Sequence, residues 1–143
     1  MIAIGCDHGG FPLKEQLVKH LQEKGYEVKD FGCYSTDSVD YPQYAPAVGK
    51  SVVSGESEYG IVVCSTGIGI SMAANKVPGV RCALCSEPYS ARMTREHNNA
   101  NVLALGGCVI GPHMAFNIVD TFLNTEFSTE EKHHRRVGQI EAL

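Results

Sequence analysis

Several common features are lacking from this 143-residue sequence, and each absence excludes a class of protein. No apolar run approaches the roughly 20 residues that a membrane-spanning helix requires. The net charge of −4 gives no reason to expect a nucleic acid or an anionic membrane as a partner. No basic segment followed by an apolar stretch stands at the start, so no secretory signal is predicted. We therefore expect a soluble, cytoplasmic protein.

Motifs for zinc, disulfides and dinucleotides are also lacking. Cys82 and Cys85 form a C-x-x-C, but no second pair completes a zinc site. The sequence around them predicts a strand, on which residues three apart face opposite sides, too far apart for a disulfide. The G-x-G-x-x-G fingerprint of dinucleotide-binding proteins is absent. We interpret the six cysteines as reduced thiols, most of them buried, which fits the cytoplasm.

Short apolar runs alternate with helical patterns along the whole chain, with no repeat or linker. This alternation is typical of βαβ units around a parallel sheet. It predicts one domain, residues 1–143, with the fold of a Rossmann-like three-layer αβα sandwich and a five-stranded parallel sheet. Strands are predicted over 1–6, 26–31, 59–64, 80–85 and 102–105. Helices are predicted from Pro12 to Gly25, over 42–54, from the turn at 67–69 through Ala74, over 88–98 and over 112–123, and a last helix is predicted after a capping box formed by Ser128 and Glu131.

Ligands of open parallel sheets bind beyond the carboxyl ends of the strands. After the first strand come Asp7 and His8, a carboxylate and an imidazole side by side, although Asp7 also suits a helix cap. Residues 64–71, after the third strand, have glycines that permit a tight turn and amides that open a helix, a favourable cradle for an oxyanion. A helix start also favours the thiolate of Cys64. On this motif alone, a buried structural cysteine followed by turn-forming glycines is an equally good interpretation.

These parts suit the isomerisation of an aldose to a ketose. That reaction needs a group to open the sugar ring, a base to move a proton between C2 and C1, and donors to hold the enediolate oxygen. A phosphate would need cations, and Lys132 and Arg136 lie one helical turn apart, although such a pair is also common on a solvated helix face. His97 belongs to the loop before the fifth strand, at the opposite edge of the sheet, so we expect it to reach a site only from a neighbouring subunit or by an unusual path.

Taken together, these residues resemble the ribose-5-phosphate isomerase B family, within the wider group that includes galactose-6-phosphate isomerase subunits. The resemblance covers nearly the whole chain. It is carried by residues 5–10 (GCDHGG), 40–42 (DYP), 64–71 (CSTGIGIS), 73–76 (AANK), 85–91 (CSEPYSA), 95–98 (REHN) and the tail His133-x-x-Arg136-Val137.

The resemblance implies a role for each matching residue. Cys64 corresponds to the proton-transfer base, and His97, assisted by Asp7, to the ring-opening acid and base. Other family members use a Glu at the position of Ile70, a route closed here. The remaining matches are the anion-binding loop (Ser65, Thr66, Gly67, Gly69, Ser71), Asn98 beside His97, Tyr41 among the substrate-binding residues, and the phosphate ligands His8, Lys132 and Arg136.

The resemblance also implies a sugar-phosphate substrate, no metal or organic cofactor, no nucleic-acid or membrane partner, and a homodimer with sites at its interface, which could pair further into a dimer of dimers. Two departures stand out, because Cys108 and Lys132 occupy positions where the family usually has Arg. Lys offers a point charge rather than a bidentate fork. The alternatives to ribose 5-phosphate are therefore a six-carbon phosphate (allose 6-phosphate or galactose 6-phosphate), a non-catalytic phosphate-binding module, or a redox role for Cys64. The presence of His97 weighs against the galactose branch.

Overall fold

The predicted strands pair into one parallel sheet in a computed structural model that describes residues 1–143. The order across the sheet is β2-β1-β3-β5-β4. The strands are β1 (Ile2–Cys6), β2 (Val28–Asp30), β3 (Tyr59–Cys64), β4 (Cys82–Leu84) and β5 (Val102–Gly106), and the helices are α1 (Phe11–Glu23), α2 (Ala45–Val53), α3 (Ile68–Ala74), α4 (Pro88–Asn98), α5 (Pro112–Leu123) and α6 (Glu131–Glu141), with a 3₁₀ turn at Tyr41–Gln43. The predicted fold class is thus confirmed.

Alternate residues along each strand face two separate cores, because side chains of a strand point to opposite faces in turn. Ile61 and Val63 of β3 pack with α1, α4 and α5, whereas Val62 and Cys64 pack with α2 and α3. Cys85 lies in the first core and Cys82 beside the second, so the C-x-x-C is structural, as predicted. Burial raises the pKa of Cys82 to about 12 and that of Cys85 to about 11, as befits inert thiols.

Two predicted helix starts are wrong. The helix expected over 42–54 is divided at Tyr44 into a 3₁₀ turn and α2. The capping box of Ser128 and Glu131 does not form, because α6 begins at Glu131 and Ser128 Oγ accepts from the amide of Glu130, two residues on. Ser128 is held in place by tertiary contacts, since its amide donates to Glu96 O and its carbonyl bonds His134 Nε2.

β2 is added on one side of β1, whereas β3, β5 and β4 lie on its other side. The boundary between β1 and β3 is therefore the topological switch point, where ligands of such folds bind. Cys6 pairs with Val63, so the segments that follow β1 and β3 leave the sheet side by side. A side chain at Gly10 would collide with the backbone of Val63, so glycine permits this close approach. None of the helices is both long and apolar enough to cross a membrane.

Candidate active site

Cys64 ends β3 at the switch point, buried but for 5% of its surface. The amide of Gly67 donates a hydrogen bond of 3.1 Å to its Sγ atom. The amides of the first helical turn of α3 follow directly and have no partners within the helix. The predicted combination of a thiol and an amide cradle is therefore present in the geometry.

The glycines of this turn are required by what surrounds them. Gly67 has a φ of +78°, in the left-handed region, and a Cβ there would stand 2.5 Å from Leu84 Cδ1. A Cβ on Gly69 would stand 2.7 Å from Cζ of Tyr41. The ring of Tyr41 therefore covers the turn, which brings this predicted substrate-binding residue beside the anion loop.

The hydroxyl groups of the turn have different partners. Thr66 Oγ1 accepts from the amide of Ile68 at 3.2 Å, which leaves its hydroxyl proton free to donate outward. Ser71 Oγ instead donates to the carbonyl of Ile68 at 2.7 Å, so its proton is engaged within α3. Ser65 lies beneath Gly9, where any side chain would collide with Ser65 Oγ. Thr66 is thus the best placed of the three to donate to a ligand.

Asp7 and His8 lie beside this turn, as predicted. Asp7 is buried, and its Oδ1 accepts from the amide of Gly10 at 3.1 Å, so it stabilises the turn before α1 rather than serving as the N-cap, which is Gly10 itself. His8 Nδ1 accepts from the amide of Val39 at 3.1 Å. Because Nδ1 is an acceptor, the ring proton lies on Nε2, and His8 presents an N–H donor to a ligand.

Cys108 also belongs to this edge of the sheet. Its amide donates to Ser65 O at 2.9 Å, and that of Gly107 donates to Cys64 O at 2.8 Å. The exposed thiol of Cys108 thus starts from a backbone bonded to the turn after β3. We call this group the β3 half-site: Asp7, His8, Tyr41, residues 64–71 and Cys108.

The other predicted residues lie elsewhere. α4 begins beside the carboxyl end of β4, and its 11 residues carry the chain back about 16 Å. His97 and Asn98 therefore lie near the amino ends of the strands, at the opposite end of the sheet from Cys64. α6 packs against α4 and brings Lys132 and Arg136 to the same region. We call His97, Asn98, Lys132 and Arg136 the α4 half-site. Within one chain the two half-sites do not meet, which is the difficulty that the sequence predicted.

His133, which was not among the predicted site residues, lies against His97. Its ring is stacked on that of His97, with centroids 4.3 Å apart and planes 10° apart. Burial lowers its pKa, and the nearby His97, Lys132 and Arg136 act in the same direction. A signal did exist in the sequence, since His133 and Val137 lie four apart on the buried face of α6.

Two depressions flank the half-sites. One, of about 690 Å³, lies near the α4 half-site and includes Arg81, Asn98 and Ile140. Another of about 360 Å³ adjoins the β3 half-site and is lined by Thr66, Ile68, Leu84 and Val109 among others. No group of three His, Cys, Asp or Glu side chains is arranged to bind a metal ion.

Comparison with known proteins identifies relatives over nearly the full length. Residues 2–140 match the family model described as Ribose/Galactose Isomerase. The chain is 49% identical to ribose-5-phosphate isomerase B of Escherichia coli, over 99% of this chain and 95% of that protein. It is 38% identical to galactose-6-phosphate isomerase subunit LacB of Clostridium acetobutylicum, over 100% of this chain and 83% of that protein. A solved structure of the Clostridium thermocellum ribose-5-phosphate isomerase B matches with a TM-score of 0.96 at 53% identity, covering 99% and 95% of the two chains.

Proposed function

Because the chain belongs to the ribose/galactose isomerase family, we propose that it interconverts D-ribose 5-phosphate and D-ribulose 5-phosphate through an enediolate. The observation that carries the proposal is the position of the Cys64 thiol. It lies at the switch point of the sheet, and its sulfur accepts a hydrogen bond from the amide of Gly67. Full-length relatives named as ribose-5-phosphate isomerases support the choice of substrate. A cytoplasmic location fits the six unpaired thiols.

In the proposed reaction, the Cys64 thiolate removes the proton from C2 of the open-chain aldose and returns it to C1, while a second proton passes from the C2 hydroxyl to the C1 oxygen. The enediolate oxygen is held by amides at the start of α3 and by the Thr66 hydroxyl, whose proton is free. Before that step His97, assisted by Asp7, opens the sugar ring by moving a proton from the C1 hydroxyl to the ring oxygen. Asn98 binds the sugar beside His97.

We further propose that the working site forms between two copies of the chain, in a homodimer. The two half-sites lie at opposite edges of the sheet, and a second copy can bring His97 to the Cys64 of its neighbour. Exposed apolar side chains around the β3 half-site support such an interface, because Ile68, Leu84 and Val109 are 48%, 41% and 62% exposed and line one depression. The dimer could pair again into a dimer of dimers.

The phosphate would then be bound from both copies. His8 donates through Nε2 from one chain, and Lys132 and Arg136 approach from the other. Cys108 stands where the family usually carries Arg, so one cation is missing from the β3 half-site. This exposed thiol is also the observation that favours a second candidate, the isomerisation of a six-carbon phosphate, because a smaller side chain beside Ser65 leaves more space.

The test is a coupled assay of purified protein on a panel of aldose phosphates, with ribose 5-phosphate, allose 6-phosphate and galactose 6-phosphate as substrates. We expect the highest kcat/KM for ribose 5-phosphate. Cys64→Ala should fold normally and lose about 10²-fold or more in kcat, the usual loss for a missing acid or base. Cys85→Ala is the matched control, since Cys85 is also buried but lies in the other core. A folded Cys64→Ala protein with normal kcat would overturn the assignment.

A further inference from the structure

The imidazole of His97 stacks on a second histidine ring within its chain. His97 lies in the last turn of α4 and is exposed to solvent. Its ring stacks on that of His133 with a 4.3 Å separation and a 10° angle, and neither ring makes a hydrogen bond within the chain. Because an exposed histidine otherwise rotates among rotamers, this stack restricts the directions in which the nitrogens of His97 can point.

The ring beneath His97 is itself held firmly. His133 is only 8% exposed and shares the buried face of α6 with Val137. The segment before α6 is tied to α4, because the amide of Ser128 donates to Glu96 O at 3.1 Å. The other end of α6 is tied by Arg81 to Glu141 at 2.6 Å. The stack therefore rests on a helix fixed at both ends.

The surroundings of the stack favour the neutral form of His133. Burial lowers the pKa of His133, and His97 on α4 and Lys132 and Arg136 on α6 act in the same direction, against Glu130. Two stacked imidazoles would repel if both were protonated. The neutral form of His133 is therefore the favoured partner in the stack.

We propose that His133 is a positioning residue for His97, an aromatic platform that holds the His97 ring in the orientation used for ring opening. The catalytic part of this inference rests on the proposed function. The alternative is that His133 merely fills the space between α4 and α6, in which case its replacement would affect stability or the phosphate grip of its neighbours, and not the His97 ring.

Three substitutions separate these roles. His133→Phe keeps a flat ring under His97, whereas His133→Ala removes it. The matched control is His134→Ala, because His134 also stacks on an aromatic ring, that of Phe127, at 4.2 Å. This change removes the bond from His134 Nε2 to Ser128 O but leaves the bond from the Ser128 amide to Glu96 O. We expect His133→Ala to lower kcat for ribose 5-phosphate about tenfold to a hundredfold, the usual range for a misplaced catalytic group, with KM changed less than about threefold. His133→Phe should restore most of this loss, and His134→Ala should match the wild type.

An open-chain substrate distinguishes ring opening from general damage. In D-erythrose 4-phosphate the only hydroxyl that could close a five-membered ring is esterified, so no ring has to be opened. The ratio of its rate to that of ribose 5-phosphate should rise in His133→Ala and stay unchanged in His133→Phe. Equal losses on both substrates, or a loss confined to KM, would overturn the proposal.

Histidine NMR of the substrate-free protein provides a readout that does not depend on activity. The His97 ring protons should be shifted upfield by the ring current of the stacked neighbour in the wild type, His133→Phe and His134→Ala, but not in His133→Ala. His97→Asn should raise the pKa of His133. Unchanged His97 shifts in His133→Ala would refute the stack in solution. If the wild type fails to isomerise ribose 5-phosphate while these shifts behave as expected, the proposed function fails and the positioning of His97 stands.

Discussion

At the scale of single residues, the shape of the β3 half-site depends on how closely the Tyr41 ring approaches Gly69. Only glycine allows the observed contact, since a Cβ would lie 2.7 Å from the ring carbon Cζ. Tyr41 itself is 40% exposed, so the ring can move when pushed. The two positions should therefore act as a unit.

A double-mutant cycle tests this coupling. Gly69→Ala should lower kcat/KM for ribose 5-phosphate about tenfold, because the methyl group displaces the Tyr41 ring from the turn. In a Tyr41→Ala background the same change should cost less than about twofold, since nothing remains to be displaced. Equal penalties in both backgrounds would mean that Gly69 serves the backbone and not the ring.

Substitution of Cys108 tests how the site binds the phosphate group. Cys108→Arg should lower KM for ribose 5-phosphate roughly tenfold, because a charge-assisted hydrogen bond contributes about 1.5–3 kcal/mol. The KM for free ribose should not change, and Cys108→Ser, which adds no charge, is the control. If the Arg variant gains nothing on the ester, side chains at position 108 do not face the phosphate.

At the scale of secondary-structure elements, α1 is joined to the loop after β2 by a fully buried lysine. Lys14 Nζ donates to Asp30 Oδ2 at 2.7 Å and to Cys33 O at 2.9 Å, and it lies 3.1 Å from Glu15. Burial alone would lower the pKa of Lys14, but its hydrogen bonds to Asp30 and Glu15 outweigh this effect and hold the pKa above its ordinary value. The lysine thus stays charged, and it fixes the segment that leads to Val39 and the 3₁₀ turn.

Removing this cation should destabilise the protein more than any surface charge. Lys14→Met should lower the free energy of unfolding by about 2–4 kcal/mol, because it leaves Asp30 without its buried partner. Lys19→Met, an exposed position on the same helix, should change it by less than about 0.5 kcal/mol. Urea unfolding of both variants gives the comparison, and similar losses would contradict the role assigned to Lys14.

The contact between α4 and α6 should depend on pH through His133. The folded protein lowers the pKa of this residue below its ordinary value of 6.5, because of burial and the charges of His97, Lys132 and Arg136. The unfolded chain therefore binds more protons, so stability is lost as the pH falls through about 6.5 and levels off below the folded pKa. His133→Phe should show a flatter dependence between pH 7.5 and 5.5 in urea unfolding. An unchanged slope would mean that another group is responsible.

How well each element could be predicted depended on how local its causes are. β3 and α5 have the predicted bounds, because β3 is an unbroken apolar run and α5 opens on Pro112. The start of α6 was wrong because Ser128 bonds to Glu96, a contact that no local pattern reveals. The same holds for the site: strand ends predicted the meeting of Asp7 and Cys64, while the stack of His133 on His97 arises from the packing of two helices distant in sequence.

At the scale of the whole molecule, the account depends on two half-sites that one chain keeps apart. Cys64 is the last residue of β3, at the carboxyl ends of the strands, and His97 lies in the last turn of α4, near their amino ends. A symmetric dimer would build two complete sites, each with Cys64 from one subunit and His97 from the other. Two inactive variants could then restore activity to each other in a mixed dimer, which a site within a single chain would not allow.

The decisive measurement is complementation between two inactive variants. Cys64→Ala and His97→Asn homodimers are each expected to be nearly inactive on ribose 5-phosphate. When they are mixed in equal amounts, unfolded and refolded together, half of the dimers carry one subunit of each kind, and each of these has one intact site. Activity should therefore recover to about a quarter of the wild-type value. The control mixture of Cys64→Ala with Cys64→Ser should recover nothing, because both changes fall in the same half-site. Restored activity at that level is the result the shared site predicts, and a mixture as inactive as its components would contradict it.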